Sequence, residues 1–408
     1  MKINYQQLVH EITLSSIIDE LTACDPANYS IKEIQRLRKK YSAEFVSLAL
    51  HIAESRNRAN RKFPESDKLC FTPELLEQAS AHPVAMYRAE LLSGFGKILD
   101  LGCAAGGDLT RFAMAGSQVI GLERDELPAA LAHQNLAQLG LSGEVINAEF
   151  PCELPDFDVL FADPQRREKG RGPSGSKRRW DPAEFSPRPK DLRPLLNCRA
   201  WAIKWGPGLD LDHQTMTAEG ALLEGMSRAE YELQVVSWNG QVREALFIGG
   251  EARQSCLTAV VITGPIDNYK VHKFIGNEIA TPKITEPADY LYDPDGTLLR
   301  TNLLNSFASE NGMNIIAEEI AYLTSDVKVD SPFMTRFKRL DSIEMSLPKL
   351  QSALNNLDAG SVIIRKRGYP EEPEEIRKRL SLAGTAELTV LLHRSGNKHI
   401  AHICEKET

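Results

Sequence analysis

The sequence predicts an α/β fold, in which a doubly wound parallel sheet with an antiparallel edge lies between a helical segment and a further α/β module. Apolar runs of four to six residues alternate with helical patterns from about residue 97, which is typical of βαβ units. From residue 232, two strand patterns flank the turn pair Asn239-Gly240, as in a β-hairpin. We therefore divide the chain into residues 1–70, 71–275 and 276–408.

The composition is that of an ordinary globular protein, and it excludes several classes. The 408 residues carry 48 Lys and Arg against 56 Asp and Glu, a net charge of −8, so contact with nucleic acid requires local basic patches. The longest apolar stretches are shorter than the roughly 18–20 residues that cross a membrane, and the N-terminus has no signal core. Seven scattered cysteines without a CxxC pair favour reduced thiols in a cytoplasmic protein and argue against a zinc ribbon.

The first 70 residues are predicted to be helical. The segment 30–33 has the form of a capping box, and apolar residues then recur at helical spacing up to Leu48, as in one buried helix stripe. Thr72-Pro73 predicts the start of another helix, because threonine caps well and proline is favoured at the first helical position. Pro83 is expected to interrupt or kink that helix.

The central region predicts a series of strands. The hairpin 232–238 and 242–248 is followed by a further apolar strand, and after about residue 276 another α/β unit in two halves is expected. The remaining predicted elements are the strands 97–101, 118–122, 144–147, 157–162 and 199–204 and the helix 127–139.

A glycine-containing turn after the first strand points to a nucleotide-type ligand. Gly102 and Gly106 let the backbone approach a ligand closely. The dinucleotide fingerprint begins with glycine and favours a pyrophosphate, whereas here Asp100 ends the strand. A carboxylate suits a cationic or amine-bearing ligand, and S-adenosylmethionine has both an α-amino group and a sulfonium.

Further polar residues follow the next two strands. Glu123 lies 23 residues after Asp100, where a carboxylate can bind both ribose hydroxyls. The segment Asn147-Ala148-Glu149 ends the third strand and is positioned to contact the adenine edge. Three polar strand ends around one turn favour a ligand site over simple helix caps.

These motifs resemble those of the class I S-adenosylmethionine-dependent methyltransferases. The turn from Asp100 to Gly106, Glu123 and Asp163-Pro164 resemble motifs I, II and IV of that family. Ala104 stands where many members have glycine, and we expect a slightly altered turn with binding retained. The resemblance implies a Rossmann-like fold and the cofactor S-adenosyl-L-methionine. The predicted cofactor-binding residues are Asp100, Gly102, Ala104, Gly106, Glu123, Arg124, Glu149 and Asp163.

More narrowly, the chain resembles bacterial methyltransferases with a THUMP-like C-terminal domain, from about residue 70 to the end. THUMP domains elsewhere are associated with binding RNA, usually tRNA, so the resemblance implies an RNA partner and a ferredoxin-like plus THUMP-like module. The segments that carry it are Phe71-Thr72-Pro73, Gln78-Ala79, 163–167, 204–210, the hairpin with Glu244, 290–294, 322–326 and Lys366-Arg367-Gly368.

Asp163 is predicted to lie at the reacting end of the site. It ends the fourth strand at the carboxyl edge of the sheet and is suited to accept a hydrogen bond from a substrate N–H. Amino-group methyltransferases usually have two prolines and an aromatic residue there, whereas this chain has Gln165 and Arg166 after its single proline. We assign Asp163 and Arg166 as the catalytic candidates. A route through a cysteine nucleophile is disfavoured, because the nearest downstream cysteine is Cys198.

Basic segments are the candidates for contact with RNA. Residues 165–190 hold nine basic residues against three acids beside motif IV, which favours a polyanion over an ordinary solvated insertion. The predicted RNA-binding residues are Arg167, Lys177, Arg178, Arg179, Trp180, Lys204, Arg365, Lys366 and Arg367. Arg243 and Glu244 in the hairpin are expected to face solvent or to pair with each other. No metal site is predicted, since the C-terminal histidines have no Asp or Cys close by.

The sequence therefore predicts a cytoplasmic S-adenosylmethionine-dependent methyltransferase that acts on a base in RNA, either tRNA or rRNA. Two alternatives stay open at this point. One is methylation of a protein or a small molecule, and the other is a non-catalytic RNA-binding protein that retains the cofactor fold. The methylated atom, the RNA species and the oligomeric state are not predicted.

Overall fold

The computed structural model describes residues 3–23, 29, 31–164, 185–208, 210–276, 282–317 and 320–407. The chain forms two compact units, each continuous in space rather than in sequence. The first unit is Met1–Trp238, Arg243–Cys256 and Ile262–Val271, and the second is Asn239–Val242, Leu257–Val261 and His272–Thr408. The three-part division at residues 70 and 275 stays a prediction.

Among the described residues, six helices precede the first strand. They are α1 (Tyr5–Leu14), α2 (Ile17–Thr22), α3 (Ile31–Arg38), α4 (Ala43–Ala59), α5 (Pro73–Gln78) and α6 (His82–Leu92). The prediction of one continuous stripe is wrong, because Ser42 has an extended backbone and its side chain caps a new helix, accepting from the Phe45 N–H. The Thr72 cap is confirmed, since its hydroxyl accepts from the Leu75 N–H. Pro83 lies in the first turn of α6, where proline is tolerated, so it begins a helix rather than kinking one.

A nine-stranded sheet follows with the strand order β3-β2-β1-β4-β5-β7-β6-β8-β9. Strands β1 to β5 pair in parallel, and β7 pairs antiparallel with β5, so the predicted doubly wound sheet with an antiparallel edge is confirmed. The strand order reverses between β1 and β4, where ligands of such sheets bind. The strands are β1 (Ile98–Leu101), β2 (Val119–Glu123), β3 (Glu144–Asn147), β4 (Val159–Ala162), β5 (Ala200–Trp205), β6 (Tyr231–Trp238), β7 (Gln241–Gly250), β8 (Leu257–Thr263) and β9 (Lys270–Ile275).

Helices α7 (Gly107–Met114) and α8 (Glu126–Gln138) connect the first three strands, as the βαβ pattern predicts. The N-terminal helices share one apolar core with α8, including Val9, Ile52 and Leu131, all fully buried. Two short helices, α9 (Pro189–Leu192) and α10 (His213–Thr217), flank β5 in the sequence. The helical segment is therefore packed directly onto the sheet domain.

Asn135 of α8 ties the N-terminal segment to the glycine turn. Its side chain accepts from the Cys70 N–H at 2.7 Å and donates to the carbonyls of Cys70 at 3.0 Å and Ala105 at 2.9 Å. The residue is fully buried, so no water is available to replace these bonds.

Replacing Asn135 with Ala is expected to lower the free energy of unfolding by about 2–4 kcal/mol, because buried backbone groups lose their partners. Urea denaturation measures this loss. His133→Ala, on an exposed position of the same helix, is the matched control and is expected to change stability by less than about 0.5 kcal/mol. A loss of less than about 1 kcal/mol for Asn135→Ala would show that the tie is unimportant.

The second unit contains one seven-stranded sheet with the order β11-β12-β10-β13-β16-β15-β14. Both expected halves thus belong to a single sheet, with β14 and β15 paired in parallel and the other neighbouring strands antiparallel. Its elements are β10 (Tyr290–Pro294), α11 (Gly296–Arg300), α12 (Leu304–Glu310), β11 (Asn314–Ala317), β12 (Ile320–Ser325), β13 (Met334–Glu344), α13 (Leu347–Asn356), β14 (Ala359–Arg367), α14 (Pro373–Lys378), β15 (Ala386–Ser395) and β16 (Lys398–Lys406). No helix within the described ranges has the length and apolar character that a membrane crossing requires.

Candidate active site

The glycine turn adopts the backbone conformation that its sequence implies. Gly102, Ala104 and Gly106 have φ angles of 86°, 48° and 76°, all in the left-handed region. A Cβ on Gly102 would meet no atom within 4 Å, so this side of the turn is open to a ligand. A Cβ on Gly106 would lie 3.2 Å from the Ala132 Cα, so close packing against α8 also favours glycine there.

Asp100 lies in β1 just before this turn and is almost completely buried. Its Oδ2 atom has no hydrogen-bond partner among the described residues. Burial and the neighbouring carboxylates of Asp108 and Asp163 raise the pKa of Asp100 well above its usual value. An unpartnered acid in an acidic surrounding is a site that a cationic ligand stabilises.

Glu123, at the end of β2, is also buried, with an exposed fraction of 8%. Its Oε2 accepts from the Ala104 N–H at 3.0 Å, and its Oε1 accepts from the Asp125 N–H at 2.9 Å. Burial raises the pKa of Glu123, although these two backbone bonds oppose the effect. Each oxygen retains acceptor capacity, so the carboxylate can fix the glycine turn and still bind ribose hydroxyls.

Arg124 and Glu149, two further residues predicted to bind the cofactor, line one cavity together with Asp100 and Glu123. Asn147 ends β3 and donates to the carbonyls of Glu123 at 2.9 Å and Arg124 at 3.0 Å, so its side chain fixes the backbone after β2. Glu149 is exposed on the cavity wall. Arg124 also lines the cavity, and its guanidinium lies 3.3 Å from the Ser186 hydroxyl.

Asp163 and Lys204 form an ion pair at the ends of β4 and β5. The Lys204 ammonium also lies 3.3 Å from the Ser80 hydroxyl. Burial alone would lower the pKa of Lys204, but nearby carboxylates, led by Asp163, more than offset this and raise it. Lys204, predicted to contact a phosphate, therefore holds the Asp163 carboxylate in place in this structure.

A buried cluster of charged residues next to the cavity was not predicted from the sequence. Arg88 of α6 is fully buried and pairs with both Glu244 and Asp108. Burial disfavours the cation, but the two carboxylates outweigh it, so the pKa of Arg88 lies above its usual value. The expectation that Glu244 faces solvent or pairs with Arg243 is wrong, because α6 brings Arg88 beneath β7. A charged residue among the apolar neighbours of α6 was the one available signal.

Most of these groups, but not Arg88 or Asn147, line one cavity of about 1110 Å³ in the first unit. Asp100, Glu123 and Asp163, which come from three different strands, meet there with the glycine turn. The N-terminal helical segment supplies part of the wall, including Arg61 and Lys62. Within the described ranges, no three His, Cys, Asp or Glu residues are arranged to hold a metal ion.

Charge is divided between two regions of this cavity. The acidic region is Asp100, Asp108, Glu123 and Asp163, and the last three raise the pKa of Asp100. The cationic region is Lys62, Lys204 and Arg243. Burial, followed by Lys204 and Arg243, lowers the pKa of Lys62 to about 8, although its ammonium donates to three backbone carbonyls at 2.7–2.8 Å. The cavity thus suits a ligand or ligand pair with both a cationic and an anionic group.

Several predicted residues of the loop after motif IV lie outside the described residues. They are Arg166, Arg167, Lys177, Arg178, Arg179 and Trp180.

The three basic candidates of the C-terminal module are each paired with an acid. Arg365 and Arg367 share Asp293, the latter at 2.6 Å, and Lys366 pairs with Glu372 at 2.7 Å. Asp293 is largely buried, with 13% of its side chain exposed, so these two arginines are fixed in the sheet more firmly than surface groups. The sequence shows the basic turn but not its acidic partner, which lies more than 70 residues away.

Comparisons with known proteins identify a domain, two relatives and a fold. A family model described as THUMP domain-like matches residues 334–406. Two uncharacterised S-adenosylmethionine-dependent methyltransferases of Mycobacterium tuberculosis, from strains CDC 1551 and H37Rv, are each 30% identical over 338 residues, covering 82% of this chain and 87% of theirs.

A solved structure shares the fold along nearly the whole chain. It is the crystal structure of a candidate methyltransferase from Porphyromonas gingivalis W83, with a TM-score of 0.74 and 21% identity, and the match covers 98% of this chain and 99% of that chain. At this identity the likeness supports the fold alone.

Proposed function

Because the chain belongs to the S-adenosylmethionine-dependent methyltransferases, we propose that it methylates a base in RNA. The predicted family, enzyme class and cofactor are confirmed by the relatives. The RNA substrate and the roles of individual residues are our proposal. The cationic region of the cavity is the observation that carries it, because it places positive charge beside the acidic region that suits the cofactor.

The residues present fit the cofactor. Asp100 would hold the α-amino group and the sulfonium end of S-adenosylmethionine, because it is a buried carboxylate with an unpartnered oxygen. Glu123 would bind the ribose, and the β3 end with Glu149 would contact the adenine. Gly102 has no side chain, which leaves open space beside the turn where the cofactor would lie. When bound, S-adenosylmethionine supplies an electrophilic methyl group on its sulfonium.

In this proposal, Asp163 orients the substrate. Its carboxylate accepts a hydrogen bond from an N–H of the target base and takes the proton as the nitrogen is methylated. Lys204 fixes the position of the carboxylate through their ion pair. Since methyl transfer is an in-line displacement, the fixed geometry at Asp163 contributes chiefly by aligning the reactants.

The THUMP-like module supports RNA as the substrate class. The basic segment 165–190 holds nine basic residues against three acids next to motif IV in the sequence. Both features favour a polyanionic substrate over a small neutral molecule.

The test is incubation with tritiated S-adenosylmethionine and total RNA from a strain that lacks the gene. We expect label in one RNA fraction, sensitive to ribonuclease. The KM for that RNA should rise steeply as salt is raised from 50 to 200 mM, because phosphate contacts release counterions. Label that appears only in protein, or only in small molecules, would contradict the proposal.

Asp163→Asn is the matched variant for this assay. It preserves the size of the side chain and should still bind the cofactor and RNA, but it lacks a carboxylate to accept the proton. We expect the turnover rate to fall by about 100-fold or more, within the range that general acid–base groups contribute. An unchanged rate would remove Asp163 from the reacting end.

A further inference from the structure

Arg243 and Trp238 form a second recognition element on the cavity wall. The Arg243 guanidinium carbon lies 5.4 Å from the centroid of the Trp238 ring, and both side chains line the cavity. The indole N–H of Trp238 donates to the Gly264 carbonyl at 3.1 Å, which fixes the ring. The Asn239-Gly240 turn, with φ angles of 49° and 76°, connects the two strands that carry the pair.

Arg243 differs from Arg88 and Arg111, the two fully buried arginines near the site. In the part of the chain that the structure describes, no carboxylate pairs with it, and burial alone lowers its pKa. Arg88, by contrast, has two carboxylate partners and Arg111 pairs with Glu65 at 2.9 Å. A guanidinium in a cavity wall without a carboxylate is available to an anionic ligand.

The surroundings of Arg243 disfavour a cation as its ligand. Arg243 and Lys204 both act on Lys62 as nearby positive charges. Lys62 and Arg243 repel each other beside the Lys204–Asp163 ion pair, and an incoming anion relieves that repulsion. The guanidinium of Arg243 lies near the Trp238 ring, and no carboxylate among the described residues pairs with its N–H donors, whose fork geometry matches two phosphate oxygens.

We propose that Arg243, positioned by Trp238, binds a phosphate group of the RNA strand beside the nucleotide that is methylated. This inference rests on the proposed function, and it assigns the phosphate-binding contact to the hairpin rather than to the C-terminal module. Trp238 is a positioning residue in this arrangement, since it acts through Arg243. Nucleotide phosphates would thus enter the cationic region while the cofactor occupies the acidic region.

The test measures binding separately from methyl transfer. Equilibrium dialysis with S-adenosylhomocysteine present compares the four ribonucleoside 5′-monophosphates with the four nucleosides. For Arg243→Gln we expect affinity for the monophosphates to fall about tenfold, with nucleoside binding unchanged. The KM for RNA should rise by a similar factor, with little change in kcat.

Three variants separate charge, shape and positioning. Arg243→Lys should recover part of the affinity, because it keeps the charge without the planar fork. Trp238→Phe should retain most of it and Trp238→Leu should lose several-fold, because only the former keeps an aromatic face. Arg199→Gln is the matched control, since Arg199 also lies over a ring, that of Phe95 at 5.8 Å, but does not line the cavity. It should bind monophosphates like the wild type.

The outcomes distinguish this inference from the proposed function. Affinity of Arg243→Gln equal to that of the wild type, for both monophosphates and RNA, overturns the assignment of Arg243. If monophosphate binding depends on Arg243 but RNA takes no label, the phosphate site stands and the RNA substrate does not. An unchanged affinity for S-adenosylhomocysteine in every variant shows that each protein is folded.

Discussion

Replacing Arg88 with Met is expected to lower the free energy of unfolding by about 3–5 kcal/mol and to abolish methyl transfer. Arg88 is the cation shared by Glu244 and Asp108, and both Arg88 and Glu244 are buried. Its removal leaves the buried Glu244 and the largely buried Asp108 without the cation that pairs with both of them. Such an uncompensated buried charge is among the most destabilising results of a single substitution.

The same substitution should disturb the acidic region above it. Arg88 is the cation that opposes the raised pKa of Asp100, so its loss favours the protonated form of Asp100 further. We therefore expect cofactor affinity to fall even in the fraction of Arg88→Met that remains folded. Urea denaturation and calorimetric titration measure the two effects independently.

A compensating variant identifies the cause. Arg88→Met combined with Glu244→Leu and Asp108→Asn removes the whole cluster and should recover a large part of the lost stability, because an apolar replacement of a buried ion pair is often neutral. Recovery of activity is not expected. If the triple variant is no more stable than Arg88→Met, packing rather than charge accounts for the loss.

Replacing Asp100 with Asn is expected to weaken S-adenosylmethionine binding by about 100-fold, or about 2.7 kcal/mol. The substitution preserves the size of the side chain and removes the charge that the sulfonium and the amine require. Calorimetric titration measures the change, and Glu144→Gln, at an exposed position of β3 that does not line the cavity, is the matched carboxylate control. An affinity within threefold of the wild type would contradict the role of Asp100.

The raised pKa of Asp100 predicts a pH dependence of binding. The ligand favours the ionised carboxylate, so the affinity of the wild type should increase as pH rises through the raised pKa of Asp100. Asp100→Asn should lack this increase. A wild-type affinity that falls or stays constant over the same range would contradict the prediction.

The stability of the ligand-free protein should show the opposite trend. Since the folded protein holds the Asp100 proton more tightly than the unfolded chain does, this group lowers stability as pH rises above about 4, the ordinary carboxyl value. The free energy of unfolding of the wild type, relative to Asp100→Asn, should therefore decrease with pH. Bound S-adenosylmethionine should reverse the difference.

Local patterns predicted most of the sheet and part of the site. The strands around residues 98–101, 119–123 and 144–147 and the hairpin were recognisable because apolar runs and turn residues are set by nearby residues. The convergence of Asp100, Glu123 and Asp163 followed from topology, since parallel strands present their carboxyl ends at one edge.

Pairings between distant segments were not predictable from those patterns. Arg88 meets Glu244 across 156 residues, and Arg365 meets Asp293 across 72. A single sequence gives the charge of each residue but not the element packed against it. The break before Ser42 was missed for a different reason, because helical spacing of apolar residues continues across a capped turn when both helices face the same core.

A crystal structure with S-adenosylmethionine bound tests the central claim most directly. Our interpretation predicts that the cofactor lies over Gly102, with its ribose hydroxyls on Glu123, its charged end at Asp100 and its methyl group directed toward Asp163. A cofactor bound away from this cavity, or an Asp163 carboxylate turned away from the methyl group, would contradict it.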